Sequence, residues 1–144
     1  MINAYTGEGM PNSQRNIVVV EDERDTGEMF AEMLRLHGYQ AQNAFGGLVA
    51  MELIAEKQPD MILLDLMMPD LSGMEIMEQL RQDHSLADIP IVIISAKTMP
   101  TDIQAALRAG ATDYLTKPIS YSDLIQAVEH IFQAGENEPD YTPE

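Results

Sequence analysis

The sequence predicts an α/β fold, a five-stranded parallel sheet flanked by five helices, and three observations carry that prediction. Three short apolar runs, Ile17–Val20, Met61–Leu64 and Ile91–Ile94, lack the alternation of half-exposed strands and read as strands buried on both faces. Segments with helical apolar spacing separate them, so strand and helix alternate along the chain. The connections are short, and there is no internal repeat or second domain, which leaves a doubly wound parallel sheet as the simplest topology.

Each element has a local reason. Residues 1–15 contain Gly7, Gly9 and Pro11 and no apolar period, so a flexible lead-in is expected there. Ile17–Val20 is a β-branched strand ending in three acids, Glu21, Asp22 and Glu23. The helix that follows should bury Met29, Phe30, Met33 and Leu34 and stop at Gly38. His37, in its last turn, suits the helix dipole and is read as structural. Tyr39–Phe45 is more polar, as an edge strand would be. Gly46 and Gly47 open a second helix, Leu48–Lys57, which Pro59 should halt. The strand Met61–Leu64 delivers Asp65 to its carboxyl end, and Met68-Pro69-Asp70 breaks it. Ser72 is the expected cap of a third helix, Gly73 to about Gln82, carrying Met74, Ile76, Met77 and Leu80.

Pro90 introduces Ile91–Ile94, which ends at Ser95. A fourth helix should run from about Pro100 to Ala109, with proline in its favoured first turn and Gly110 as its stop. Asp113–Thr116 is a short fifth strand, ending at Lys117-Pro118. Ser120 and Asp123 have the spacing of a capping box for a fifth helix, whose face is Leu124, Ile125, Val128, Ile131 and Phe132 and whose end is expected at Gly135. The domain is therefore assigned to residues 16–134, and 135–144 to an acidic, disordered tail.

A chain of 144 residues, 45% hydrophobic, suits one domain with a real core. Its 24 acids against 8 bases give a net charge of −16, a surface that DNA or RNA would repel. Such a surface fits docking with proteins or holding a cation. With no cysteine there is no disulfide framework and no thiol chemistry. No apolar run approaches the ~20 residues of a membrane span, and the N-terminus lacks the regions of a signal peptide. The expectation is a cytoplasmic protein without membrane contact, monomeric or weakly dimeric. The 11 methionines should be mostly core filler, with Met67 and Met68 the exception.

The chemistry gathers at the carboxyl ends of the strands. After the first come Glu21 and Asp22, after the third Asp65, after the fourth Ser95, after the fifth Lys117. In the order 2-1-3-4-5, strands one and three are neighbours at the topological switch point, where such sheets bind ligands. Three carboxylates would converge there. Like charges that close are costly, and a hard cation such as Mg²⁺ relieves them through oxygen ligands. A lysine, one of only three in the chain, and a hydroxyl beside it complete a site for a phosphoryl group.

The acidic pair Glu21-Asp22, the segment from Asp65 to Asp70 with Gly73, Ser95-Ala96, Gly110-Ala111 with Asp113-Tyr114, and Lys117-Pro118 occur in this order and at these intervals. Together they resemble the receiver domains of two-component response regulators, over residues 16–134. The resemblance implies the flavodoxin-like receiver fold. It implies that Asp65 accepts a phosphoryl group from a sensor histidine kinase or a phosphotransfer protein, with Mg²⁺ as cofactor. By position, Asp22, Asp65 and the Met67 backbone carbonyl would hold the ion directly, and Glu21 through its waters. Ser95 and Lys117 would each take a phosphoryl oxygen, and Tyr114 would swing inward as Ser95 moves. The resulting switch would control an output domain or partner protein. The Lys117-Pro118 peptide would be cis. Met67 and Lys97 occupy the two positions that tune phosphoryl lifetime. One departure is Glu21, where Asp is commoner in the family.

Three other readings compete. An aspartyl-nucleophile phosphatase on a similar sheet needs a second acid two residues past Asp65, and Met67 cannot transfer a proton. A DNA-binding regulator that dimerises through basic residues of its fifth helix is disfavoured, since residues 120–134 contain no Lys or Arg; an N-terminal receiver piece of a longer regulator is compatible with the sequence. A receiver-like module that is never phosphorylated would have no use for Asp22, Asp65, Ser95 and Lys117 together.

Overall fold

Alternation along each central strand decides which layer every residue enters. The computed structural model describes residues 11–137. Its elements are β1 (Asn16–Val20), α1 (Arg24–Leu36), β2 (Gln40–Ala44), α2 (Gly47–Lys57), β3 (Met61–Asp65), α3 (Gly73–Gln82), β4 (Ile91–Ser95), α4 (Pro100–Arg108), β5 (Asp113–Thr116) and α5 (Tyr121–Asn137). The strands form one parallel sheet in the order β2-β1-β3-β4-β5. Val18, Val20, Ile62, Leu64, Ile91 and Ile93 face one way, onto Ala50 and Ile54 of α2, Ile76, Met77 and Leu80 of α3 and Ala106 of α4. Ile17, Val19, Met61, Leu63, Val92 and Ile94 face the other, onto Phe30, Ala31 and Leu34 of α1 and Leu124, Ile125 and Val128 of α5. Since side chains alternate with period two, β1, β3 and β4 must be apolar at nearly every position.

Local signals place most boundaries. Ser72 caps α3, its hydroxyl accepting from the Glu75 N–H at 3.2 Å. Ser120 accepts from the Asp123 N–H at 3.0 Å at the start of α5. Gly110, at φ +115, makes the left-handed turn after α4. The polar strand β2 lies at the sheet edge.

Several expectations are corrected. Met29 is 45% exposed, because the inward stripe of α1 runs through Gly27, Phe30, Ala31 and Leu34 and leaves Met29 to one side. Met68 joins the core beside α2 and α3, while Met67 is 56% exposed. Helix α2 ends at Lys57 as expected, but its stop is Gln58, which takes a left-handed conformation (φ 44) ahead of Pro59. Gly135 does not end α5, which continues to Asn137. A lone glycine costs a helix about 1 kcal/mol and forces no stop where no left-handed turn follows. The last part of the lead-in is structured. Asn12–Gln14 form a 3₁₀ turn, Arg15 is buried with its guanidinium over the Phe132 ring, and the Asn12 amide donates to the His37 carbonyl at 3.0 Å. The remainder of the expected lead-in, 1–10, and of the acidic tail, 138–144, lies outside the described residues.

His37 bridges the two helices of its layer, one ring nitrogen meeting a Glu129 carboxylate oxygen and the other the Tyr121 hydroxyl, which fits a structural role. No helix among the described residues is long and apolar enough to cross a membrane.

Candidate functional site

Register brings the strand ends together. Val20 pairs with Leu64, Asp65 with Ile94, and Ser95 with Thr116, so the residues that follow leave the sheet along one edge. Glu21, Asp65 and Lys117 continue the alternation of the α1/α5 face, whereas Ser95 continues that of the α2/α3/α4 face. The first three therefore meet one another, and Ser95 addresses the loop that leads into α4.

Lys117 Nζ lies 2.7 Å from Glu21 Oε2 and 3.3 Å from Asp65 Oδ2. The Asp65 carboxylate takes a second bond at its other oxygen, from the Met67 N–H at 3.0 Å. Glu21 also accepts from the Glu23 N–H at 3.2 Å. Glu21 and Asp65 are buried, and Asp22 is exposed beside them. Burial pushes the Glu21 carboxyl above its usual value; the Lys117 bond pulls it back only in part, and the Asp65 charge adds to the rise. Burial alone would lower the Lys117 ammonium, but its bond to Glu21 and the charges of Asp65 and Glu21 outweigh that and raise it. The longer arm of Glu21 explains why this residue, rather than Asp65, is the closer partner of the lysine.

The donor set fits a hard divalent cation. Oxygens of Glu21, Asp22 and Asp65 all lie within 4.8 Å of one another. Among the described residues only Lys117 is in contact to offset them, so the crevice holds more negative than positive charge, and carboxylate oxygens are what Mg²⁺ selects.

A second layer surrounds these groups. Ser95 is fully buried, and its hydroxyl oxygen accepts from the Lys97 N–H at 3.1 Å. The Tyr114 hydroxyl donates to the Lys97 carbonyl at 2.8 Å. Lys97 thus links Ser95 to Tyr114 through its main chain, while its side chain belongs to an exposed residue. The Lys117-Pro118 peptide is cis. Gly73 is required by space alone, since a Cβ there would sit 2.6 Å from the Asp65 carbonyl oxygen.

Sequence reasoning missed Asp70. Its carboxylate accepts from the Gly47 N–H at 3.0 Å and the Leu48 N–H at 3.2 Å, capping α2 from the β3–α3 loop. Those bonds hold its carboxyl below the usual range. The available signal was the missing local cap: Gly46 and Gly47 have no side chain to offer.

The comparisons with known proteins agree with this geometry. A family model described as the response regulator receiver domain matches residues 17–129. The response regulator MprA of Mycobacterium ulcerans (strain Agy99) is 36% identical over 124 residues, covering 86% of this chain and 53% of that protein. The chain therefore spans 53% of the length of that curated relative. The receiver domain of Francisella response regulator 1452 superposes with a TM-score of 0.79 at 29% identity, over 85% of this chain and 99% of its own. The signal receiver domain of a signal transduction histidine kinase from Syntrophus aciditrophicus gives 0.78 at 26% identity, over 90% of this chain and 98% of its own. With the sheet order, the carboxylate crevice and a family match over most of its length, the chain belongs to the response regulator receiver domains of two-component signalling.

Proposed function

We propose that Asp65 is the phosphoacceptor and that it takes its phosphoryl group from a phosphohistidine of a sensor histidine kinase or a phosphotransfer protein. The observation that carries this is the setting of Asp65. It is buried at the end of β3, oriented by the Met67 N–H, with Lys117 in contact and the carboxylates of Glu21 and Asp22 close by. An Asp65 oxygen bonds to phosphorus as the donor's phosphorus–nitrogen bond breaks and the imidazole leaves. A carboxylate is a weak nucleophile, so most of the rate comes from positioning and from charge placed around the transferring group. Lys117 Nζ, 3.3 Å from Asp65 Oδ2, is the group to neutralise a phosphoryl oxygen, and the Met67 N–H orients the carboxylate. Mg²⁺, when bound, supplies further charge neutralisation at the phosphoryl oxygens. Asp22, Asp65 and the Met67 carbonyl are the groups to hold it, with Glu21 acting through water.

The phosphoryl group adds about −1.5 to −2 charge to the crevice. Ser95 already accepts from the Lys97 N–H, and its own O–H is left to donate to a phosphoryl oxygen. Movement of Ser95 draws on Lys97, whose carbonyl is the acceptor of Tyr114, so the two switch residues move as one unit. The loop into α4 then shifts, which is a local charge biasing a bistable element. An output domain of a longer parent protein, or a separate partner, reads that shift. The greater length of the MprA relative supports the first of these.

Acetyl phosphate with Mg²⁺ tests the reading. One phosphoryl group should be transferred to each chain as acetate leaves the donor, and both chelation and Asp65→Asn should abolish it. Persistent full labelling of the Asn variant would overturn it.

A further inference from the structure

We infer that Asp70 is a positioning residue for the phosphoacceptor, tying the main chain around Met67 to the N-terminus of α2 so that the metal and phosphoryl ligands keep their places. This rests on the reading of Asp65 as phosphoacceptor. Helix α2 begins without a cap of its own. Gly46, at φ +107, precedes it, and the N–H groups of Gly47 and Leu48 bond to Asp70 instead, 22 to 23 residues further on. The fit allows no slack. A Cβ on Gly46 would lie 3.2 Å from Asp70 Oδ2, and one on Gly47 would lie 2.6 Å from the Leu71 Cβ. The β3–α3 loop is thus fastened to α2 at Asp70, and at its two ends to β3 and α3.

Between these fastenings lies Met67. Its N–H bonds to Asp65 Oδ1 at 3.0 Å, and its carbonyl is the main-chain group assigned to the metal. The Leu66 carbonyl, which shares a peptide unit with the Met67 N–H, is held by the Gly73 N–H at 3.1 Å. With the peptide unit before the Met67 Cα held by Gly73 and the chain after it held at Asp70, the Met67 main chain has little freedom to rotate. Release at Asp70 frees only the chain after the Cα. The orienting bond to Asp65 and the metal ligand lie on the two peptide units that meet at the Met67 Cα, so a turn of the second is passed to the first through that one residue, and the two should loosen together.

Hydrogen exchange in the metal-free protein, read amide by amide, tests this. Asp70→Ala should lower protection at Gly47, Leu48 and Met67, by roughly fivefold, the size of one lost cap. The Mg²⁺ concentration at half-saturation, read from amide shifts without any phosphoryl donor, should rise by a similar factor. Asp70→Asn keeps an acceptor oxygen and should recover most of both. Asp60→Ala, which removes a bond to the Asn16 N–H at the far end of β3, controls for general loss of stability and should move neither reading. If Gly47 and Leu48 lose protection while the Met67 amide and the Mg²⁺ midpoint stay as in the wild type, Asp70 is only a helix cap and the inference fails. A wild type that takes up no phosphate overturns the phosphoacceptor reading instead. The Met67 amide measurement, made without metal or phosphate, then still decides the role of Asp70.

Discussion

Lys117 and Arg81 are both partly buried cations, and they are held in opposite ways. Lys117 contacts two carboxylates, Glu21 at 2.7 Å and Asp65 at 3.3 Å. Arg81 donates to main-chain carbonyls: to Ala87 at 2.6 Å, Ile89 at 2.8 Å, and Gly110 through both Nε and Nη2 at 3.2 and 2.5 Å. The electrostatic consequence differs in sign. Burial lowers the Arg81 pKa, with the Asp88 charge opposing only in part, whereas the partners of Lys117 outweigh its burial and raise it. Neutral carbonyls can satisfy a guanidinium but cannot be exchanged for another ligand. Arg81 is therefore a staple, joining the end of α3 to the α3–β4 connection and to the turn after α4. The carboxylates around Lys117 exceed it in charge and can accept a cation, and the lysine can turn to an incoming anion. A site differs from a staple in having charge left over.

The largest expected effect breaks the staple. Arg81→Ala orphans three carbonyls, and with charge-assisted bonds worth ~1.5–3 kcal/mol each the cost should be about 5 kcal/mol in urea unfolding, the low end because the side chain is only partly buried. Because arginine stays charged, the loss should be the same between about pH 5 and 8. Arg81→Lys should recover little, since an ammonium lacks the fork that reaches three carbonyls. A loss that varied strongly with pH would show that Arg81, too, works through charge pairing.

Lys117→Met should cost about 3 kcal/mol at pH 7, the scale of a buried pair left with one partner. Here the loss should depend on pH. Glu21 is already raised by burial from 4.5, and the Lys117 bond is what pulls it back. Without that bond its charged form is still less favourable in the folded state, so stability is lost as pH rises through the Glu21 titration. The deficit should therefore be largest at neutrality and shrink as pH falls toward 4.5. In the wild type the raised ammonium keeps its contribution at neutral pH and loses it only as pH climbs past 10.5. Urea melts of both proteins at several pH values measure this. An equal deficit at pH 4.5 and 7 would make Lys117 a packing residue like any other.

The smallest effect concerns rate. Met67 is 56% exposed beside the Asp65 carboxylate and offers neither a donor nor a useful acceptor in its side chain to orient a hydrolytic water. The exposed Lys97 can donate but not accept, so it cannot draw a proton from that water. Met67→Asn, alone or with Lys97→Glu, should speed loss of phosphate ~10-fold, or ~1.4 kcal/mol of barrier. The decay after removal of the phosphoryl donor measures it. Variants that lose phosphate no faster than the wild type would place the control of lifetime elsewhere.

How much of this was legible follows from how far each cause reaches along the chain. The strands β1, β3 and β4 are written in four-residue apolar runs, because a strand covered on both faces can tolerate little else. The stops at Gly38 and Gly110 and the caps at Ser72 and Ser120 need only neighbouring residues, so they too could be read directly. Once five strands are placed in a doubly wound order, the edge that collects Glu21, Asp22, Asp65, Ser95 and Lys117 follows from the strand ends. What the sequence by itself determined is therefore the layer architecture and the membership of the crevice.

The tertiary structure alone decided who bonds to whom. Glu21 is the nearer partner of Lys117 across 96 residues, and Asp70 caps a helix that begins 23 residues before it. Nothing local marks either choice. Apolar spacing likewise could not tell Met67 from Met68, or Met29 from Phe30, since each pair differs only in the direction a loop or helix turns when it meets the sheet. Composition and period set which residues must leave water. Partner choice among groups distant in sequence depends on distances that exist only once the layers have packed.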